Sequence, residues 1–256
     1  MPKSEKPVAI ITGGSRGVGA ATAKLLTSKG WNVTITCTST IDDANKVIED
    51  CEKSGVEALA IEADVSNDKA CKETIEKTLS KWGGIDSLIN NAGTTKFAFN
   101  HADLESLSAE DFINIYKVNV VGPFQMVRAC KEELLKSDNP SIINISSIAA
   151  VKGIGSSMAY ASSKGALNTM TKSMARNLGP IRVNAICPGF IQGDWLRKGL
   201  GDDLYNASLK NIETNTPLNL AVTSDQVADV IYSFIDVLKT TTGETLLIDG
   251  GYHLTI

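Results

Sequence analysis

The residues of this 256-residue chain best placed to do chemistry are Tyr160 and Lys164, four apart in Tyr-Ala-Ser-Ser-Lys. The apolar spacing Leu167, Met170, Met174, Leu178 predicts a helix from Met158 to Leu178. Four residues make about one helical turn, so the two side chains share a face. A phenol with its ordinary pKa of about 10 exchanges protons poorly near neutrality. A lysine ammonium one turn away favours the phenolate, because an opposite charge stabilises the ionised form. Ser147 follows the apolar run 141–146 and is predicted at a strand end, where its hydroxyl would hold a carbonyl or alcohol oxygen against the tyrosine. Taken alone, the Tyr–Lys pair also fits an ordinary exposed helix face, so the elements that position it must decide.

Those elements are regular. Seven short, β-branched apolar runs predict strands at Val8 to Thr12, Asn32 to Cys37, Ala58 to Glu62, Ser87 to Asn90, Ser141 to Ser146, Ile181 to Cys187 and Glu244 to Ile248. Between them, amphipathic stretches predict helices near Gly17 to Lys29, Asp42 to Ser54, Asp68 to Lys81, Ala109 to Lys136, Met158 to Leu178 and Ser224 to Leu238. This alternation predicts an α/β fold of repeated βα units around a mostly parallel seven-stranded sheet with helices on both faces. No linker, low-complexity stretch or internal repeat interrupts it, so residues 1–256 read as a single domain with 1–7 as a frayed, flexible terminus.

Composition narrows the function classes. With 43% hydrophobic and 21% charged residues, the chain is an ordinary globular protein; its net charge is −4, and Lys and Arg are scattered, which argues against nucleic acid or an anionic membrane as partner. No run approaches the roughly 18 apolar residues of a membrane span, and the first residues lack the apolar core of a signal peptide. A cytoplasmic location is the expectation. The five cysteines are dispersed, without a Cys-x-x-Cys pair, and read as reduced thiols; the two histidines, His101 and His253, are too few for a histidine metal cluster and read as polar loop or surface residues.

The first strand-to-helix junction reads Thr12-Gly-Gly-Ser-Arg-Gly-Val-Gly19. Gly13, Ser15, Arg16, Gly17, Val18 and Gly19 therefore sit where a helix N-terminus offers unpaired amides and a positive dipole end to a pyrophosphate. The end of the second strand distinguishes the nucleotide. An acidic residue there would accept from the ribose hydroxyls of NAD; Thr38 and Ser39 stand there instead, and Arg16 supplies positive charge for a 2′-phosphate. NADP(H) is the expected cofactor.

Together these residues resemble the short-chain dehydrogenases/reductases, over nearly the whole chain. Beyond the glycine turn, Asn90-Asn-Ala-Gly93 resembles the family's fourth-strand motif, Asp64-Val65 the pair that contacts adenine, and Asn119 the family's structural and catalytic asparagine. Ser147, Tyr160 and Lys164 complete the tetrad; Pro188-Gly189-Phe190-Ile191 resembles the segment over the nicotinamide, and Gly243 to Gly251 the C-terminal strand and turn. The resemblance implies a single doubly wound Rossmann domain. It also implies cofactor contacts from Asn91, Ala92, Gly93, Tyr160, Lys164, Pro188, Gly189 and Ile191, and hydride transfer to the carbonyl of a small molecule, or from its alcohol. In that scheme Tyr160 is the proton donor, Ser147 the oxygen anchor, Lys164 the group that lowers the tyrosine pKa and bonds the ribose, and Asn119 the holder of a water that relays the proton. Assembly into a homotetramer or dimer is implied through the helices near 109–136 and 158–178.

Three departures bear on the substrate. Gly193 stands where many relatives carry a threonine, the Asn177-Leu-Gly-Pro-Ile181 link is short, and the segment after Gly93, with Asn100-His-Ala-Asp103, is long. Similarity is greatest to 3-oxoacyl-acyl-carrier-protein reductases, yet the stretches at 136–140 and 177–181 are poor in the positive charge that would dock an acidic carrier; Arg182, Arg197 and Lys198 are the substitutes. A free ketone, aldehyde or 3-oxo ester is the first expectation and a carrier- or CoA-bound 3-oxoacyl group the second. A non-catalytic NADP-binding sensor or scaffold is the reading from another class. The segment 193–217, with Trp195, Leu196, Leu200, Leu204 and Tyr205, is the expected substrate loop; its pattern fits an apolar lid and a packed helix pair equally.

Overall fold

The computed structural model describes residues 3–39 and 41–255. Strands β1 (Val8–Ile11), β2 (Asn32–Cys37), β3 (Ala58–Glu62), β4 (Ser87–Asn90), β5 (Ser141–Ile145), β6 (Arg182–Pro188) and β7 (Thr245–Ile248) form one sheet in the order β3-β2-β1-β4-β5-β6-β7. Every pairing is parallel. Strand order reverses between β1 and β4, and such a switch point leaves a crevice beyond the carboxyl ends of the strands.

The strands are covered on both faces, which is why they read as unbroken apolar runs. Ala9 and Ile11 face one core with Val33, Ile35, Ala23, Leu26, Ala44 and Val47. Ile10, between them, faces the other with Leu88, Ile142, Ile75, Met126 and Met174. Helices α1 (Gly17–Ser28) and α2 (Ile41–Glu52) therefore lie on the first face, and α3 (Asp68–Trp82) on the second. These elements match the sequence reading, with ends displaced by a residue or two.

Two long predicted helices are interrupted. The one expected over 109–136 is α4 (Ala109–Tyr116), a π-turn at Lys117–Val121, and α5 (Gly122–Leu134). Pro123, in the first turn of α5, has no N–H to give the carbonyl four residues back, that of Asn119, so a regular α-helical ladder cannot pass through. After a short turn α6 (Ala149–Lys152), helix α7 (Met158–Asn177) carries Tyr160 and Lys164. The segment 193–217 is a helix pair, α8 (Asp194–Leu200) and α9 (Asp202–Asn215), with Tyr205 and Ile212 buried beneath it. The helix expected over 224–238 is α10 (Ser224–Tyr232) followed by a π-turn at Ser233–Val237, whose carbonyls of Phe234 and Ile235 accept from the buried Arg182 guanidinium.

The described N-terminal residues make contacts with the sheet and α3. Lys3 pairs with Asp86 at 2.8 Å and the Ser4 amide donates to the Trp82 carbonyl at 2.7 Å. Asp86 also takes the Val8 amide and the Ser137 hydroxyl, so one buried carboxylate ties the terminus to the sheet. Met1 and Pro2, the start of that expected loose end, lie outside the described residues.

Candidate active site

The expected cofactor-binding and catalytic residues lie on or just after the carboxyl ends of strands, or on the helical segments that cover them, whereas Arg182 stands at the amino end of β6. At β1 the turn is held by β4: Thr12 Oγ1 accepts from the amides of both Asn91 and Ala92 at 3.0 Å, and Asn91 Nδ2 donates to the carbonyls of Thr12 and Gly13 at 2.9 Å. Asn91 thus spends its amide on the shape of the turn. Gly19 is needed by close approach, since a Cβ there would lie 2.4 Å from the Gly13 carbonyl oxygen. Gly17, at φ +54°, faces open space, and exposed Arg16 occupies the N-cap of α1 without a side-chain cap bond. A cradle of unfilled space in front of uncapped helix amides fits the pyrophosphate of a nicotinamide dinucleotide.

Around the cradle, Thr38 and Ser39 are exposed beyond β2. Asp64, after β3, turns its carboxylate onto the Ser66 amide at 2.8 Å, while Val65 is buried against Gly122. Pro188 ends β6, the Gly189 amide donates to the Ile248 carbonyl at 3.0 Å, and Ile191 bridges to Val222, which brings this segment over the same crevice.

The cluster of candidate catalytic residues sits beside it. Ser157 caps α7 by accepting the Tyr160 amide at 3.1 Å, and Ser147, just beyond β5, accepts the Ala149 amide at 3.1 Å on its hydroxyl and lies beside the Tyr160 phenol. Lys164 is buried; its ammonium donates to the Ile145 carbonyl at 2.7 Å and lies 5.6 Å from the centre of the Tyr160 ring. Burial pushes the Tyr160 phenol up to about 12, against the opposing influence of the Ser147 hydroxyl and with the nearby Cys187 thiol adding to the rise. Burial likewise pushes Lys164 down to about 8. This corrects the expectation that Lys164 lowers the tyrosine: its charge is aimed at a strand carbonyl, and desolvation of the phenolate wins. The Tyr160 phenol is accordingly protonated near neutral pH.

Asn119 is fully buried, and its amide is committed. Its Oδ1 accepts from the Thr94 amide at 2.8 Å, and its Nδ2 donates to the Thr94 carbonyl at 2.9 Å and to Ser163 Oγ at 3.0 Å. Ser163 Oγ in turn donates to the Tyr160 carbonyl at 2.7 Å. The sequence reading missed Ser163 and Thr12. Ser163 lies inside the Tyr-Ala-Ser-Ser-Lys run, but only its partner on another helix reveals its use. Gly93 closes the group: a Cβ there would sit 3.5 Å from Asn119 Oδ1 and 3.6 Å from Lys164 Nζ.

Of the basic residues expected to dock a carrier, Lys198 is exposed on α8 while the other two are engaged. Arg182 is buried in the π-turn described above, and Arg197 is paired to Asp202 at 2.8 Å and stacked on Tyr205 at 4.2 Å. Gly193 has φ +153°, a region in which a threonine is strained, and its amide donates to the Tyr205 hydroxyl at 3.1 Å. That conformation accounts for the glycine. His253 is pinned to the buried Asp249 at 2.9 Å. Among the described residues no group of three His, Cys, Asp or Glu side chains is placed to hold a metal ion, and no helix is long and apolar enough to cross a membrane.

Comparison with known proteins agrees with this layout. A family model described as enoyl-(acyl carrier protein) reductase matches residues 13–253. The 3-oxoacyl-[acyl-carrier-protein] reductase FabG of Staphylococcus epidermidis is 32% identical over 249 residues, 96% of this chain and 98% of that protein. A crystal structure named as a short-chain dehydrogenase/reductase from Burkholderia xenovorans superposes with a TM-score of 0.91 at 36% identity, covering 98% of this chain and 100% of that one. NAD+-bound xylitol dehydrogenase superposes with a TM-score of 0.86 at 26% identity, with coverage of 98% and 100%. Since the matches run from the glycine turn to the C-terminal turn, the chain belongs to the short-chain dehydrogenase/reductase family of oxidoreductases.

Proposed function

We propose that the protein reduces a free ketone, aldehyde or 3-oxo ester with NADPH, with Tyr160 as the general acid. The observation that carries this reading is the placement of Tyr160 one helical turn before the buried Lys164, whose ammonium lies 5.6 Å from the phenol ring centre, with Ser147 beside them and the phenol held protonated by its surroundings. A bound nicotinamide supplies the hydride. Ser147 holds the carbonyl oxygen, and Tyr160 gives its proton to that oxygen as negative charge builds there. Lys164, poised at about 8, is the neighbouring proton store. Asn119 clamps Thr94 with its side chain, which leaves its main-chain carbonyl, lacking an α-helical donor at Pro123, as the group that would hold a relay water. Exposed Arg16 and the uncharged Thr38–Ser39 support NADPH, although a structural relative is NAD+-bound.

Tyr160→Phe is expected to lower turnover at least a thousandfold, by about 4 kcal/mol of transition-state stabilisation, while NADPH binding persists. Near-normal reduction by that variant would end the proposal. The second reading, reduction of a carrier- or CoA-bound 3-oxoacyl group, is favoured by the staphylococcal relative and opposed by the buried Arg182 and paired Arg197. NADPH oxidation measured in parallel with free 3-oxo esters, 3-oxoacyl-CoA and 3-oxoacyl carrier protein separates the two.

A further inference from the structure

We infer that the substrate bears a planar aromatic ring beside its carbonyl, and that Phe97, Phe99 and Trp195 form the wall that receives it; this rests on the carbonyl-reductase reading above. The segment that leaves the Asn119 clamp runs alongside the start of the catalytic helix: Thr95 Oγ1 lies 2.7 Å from Ser156 Oγ, and the Ala98 amide donates to the Ser156 carbonyl at 2.7 Å. Ser156 directly precedes Ser157, the cap that bonds the Tyr160 amide, so Phe97 and Phe99, on either side of Ala98, rise from the edge of the catalytic turn.

From the opposite side of the crevice, α8 brings Trp195 to within 5.7 Å of Phe97, centre to centre at 50°, while Phe97 and Phe99 lie 5.4 Å apart at 34°. The three rings nevertheless remain 36%, 44% and 40% exposed for Phe97, Phe99 and Trp195. The position of Phe97 is set by α8, because a Cβ on Gly199 would lie 2.0 Å from the ring tip. Rings clustered in tilted contact with their outer parts bare suit a further ring in an offset or tilted arrangement. Charge points the same way. Residues 193–205 carry Asp194, Asp202 and Asp203 against Arg197 and Lys198, and Arg197 is paired, so an anionic substrate is disfavoured.

The test compares ethyl 3-oxo-3-phenylpropanoate with ethyl 3-oxohexanoate. Wild-type protein is expected to prefer the phenyl ester in kcat/KM, and Phe97→Ala to reduce the phenyl-to-alkyl ratio about tenfold. An unchanged ratio, including equal losses on both esters, overturns the inference. Binding is read separately from turnover through tryptophan emission in the presence of NADP+. Of the three tryptophans, Trp31 and Trp82 are buried and Trp195 is the exposed reporter. The phenyl ester is expected to quench wild-type emission, the alkyl ester is not, and Trp195→Phe is expected to abolish the response. No quenching, or equal quenching by both, overturns the inference. Should neither ester be reduced while selective quenching holds, the carbonyl-reductase reading fails and the ring subsite stands.

Discussion

Lys164→Met is expected to cost activity while leaving stability at pH 7 equal or slightly higher, with a pH signature that identifies the cause. In the folded protein burial brings Lys164 from 10.5 to about 8, a shift of about 2.5 units, or about 3 kcal/mol at about 1.4 kcal/mol per unit. Below pH 8 the ammonium is protonated in both folded and unfolded chains, and the folded protein carries the whole desolvation penalty. Methionine has similar reach and no charge, so it removes that penalty; losing the charged hydrogen bond to the Ile145 carbonyl returns about 1.5–3 kcal/mol, leaving a net gain of about 0–1.5 kcal/mol at pH 7. Between pH 8 and 10.5 the wild-type native state has released its proton while the unfolded state keeps it, so wild-type stability rises with pH. The variant's advantage should therefore fall by about 3 kcal/mol across this window, becoming a deficit near pH 10. Groups common to both proteins cancel in the difference. Urea unfolding of both proteins, followed by tryptophan fluorescence from pH 6.5 to 10, measures it. A difference that stays flat with pH would show that Lys164 is not a charge held at a cost, and the account of its role would fall.

Three further substitutions test the cradle and the entry to the α8–α9 helix pair. Gly19→Ala places a methyl 2.4 Å from the Gly13 oxygen and 2.7 Å from Asn91 Nδ2, and is expected to weaken NADPH binding at least tenfold by calorimetry, with a lower Tm. Arg16→Glu is expected to reverse the preference between NADPH and NADH in kcat/KM, the effect on NADPH shrinking at high salt as an exposed charge interaction should. Gly193→Thr forces a β-branched residue into φ +153° and is expected to destabilise by about 1–3 kcal/mol in urea melts while raising KM for the carbonyl substrate more than for NADPH.

Much was legible in the residues themselves. The strands were readable because burial on both faces leaves continuous β-branched runs, and the Tyr160–Lys164 pairing because a four-residue step on a helix is a local geometric fact. The glycine turn was readable too, since Gly19 has no room for a side chain and that requirement is written directly as a residue type. The π-turn at Asn119 was not, although Pro123 was in view, because the amide clamp on Thr94 and Ser163 joins three segments distant in sequence. The sequence also misjudged charges. Arg182 looked available for docking and is buried under a helix end, and Lys164 looked like the group that acidifies Tyr160 and is instead aimed at Ile145. Local periodicity records which face a residue occupies. How far a charge is removed from water, and which distant partner it meets there, is decided by the packing of the sheet, the helices and the crossing loops, as is the joining of Phe97 to Trp195 across the crevice.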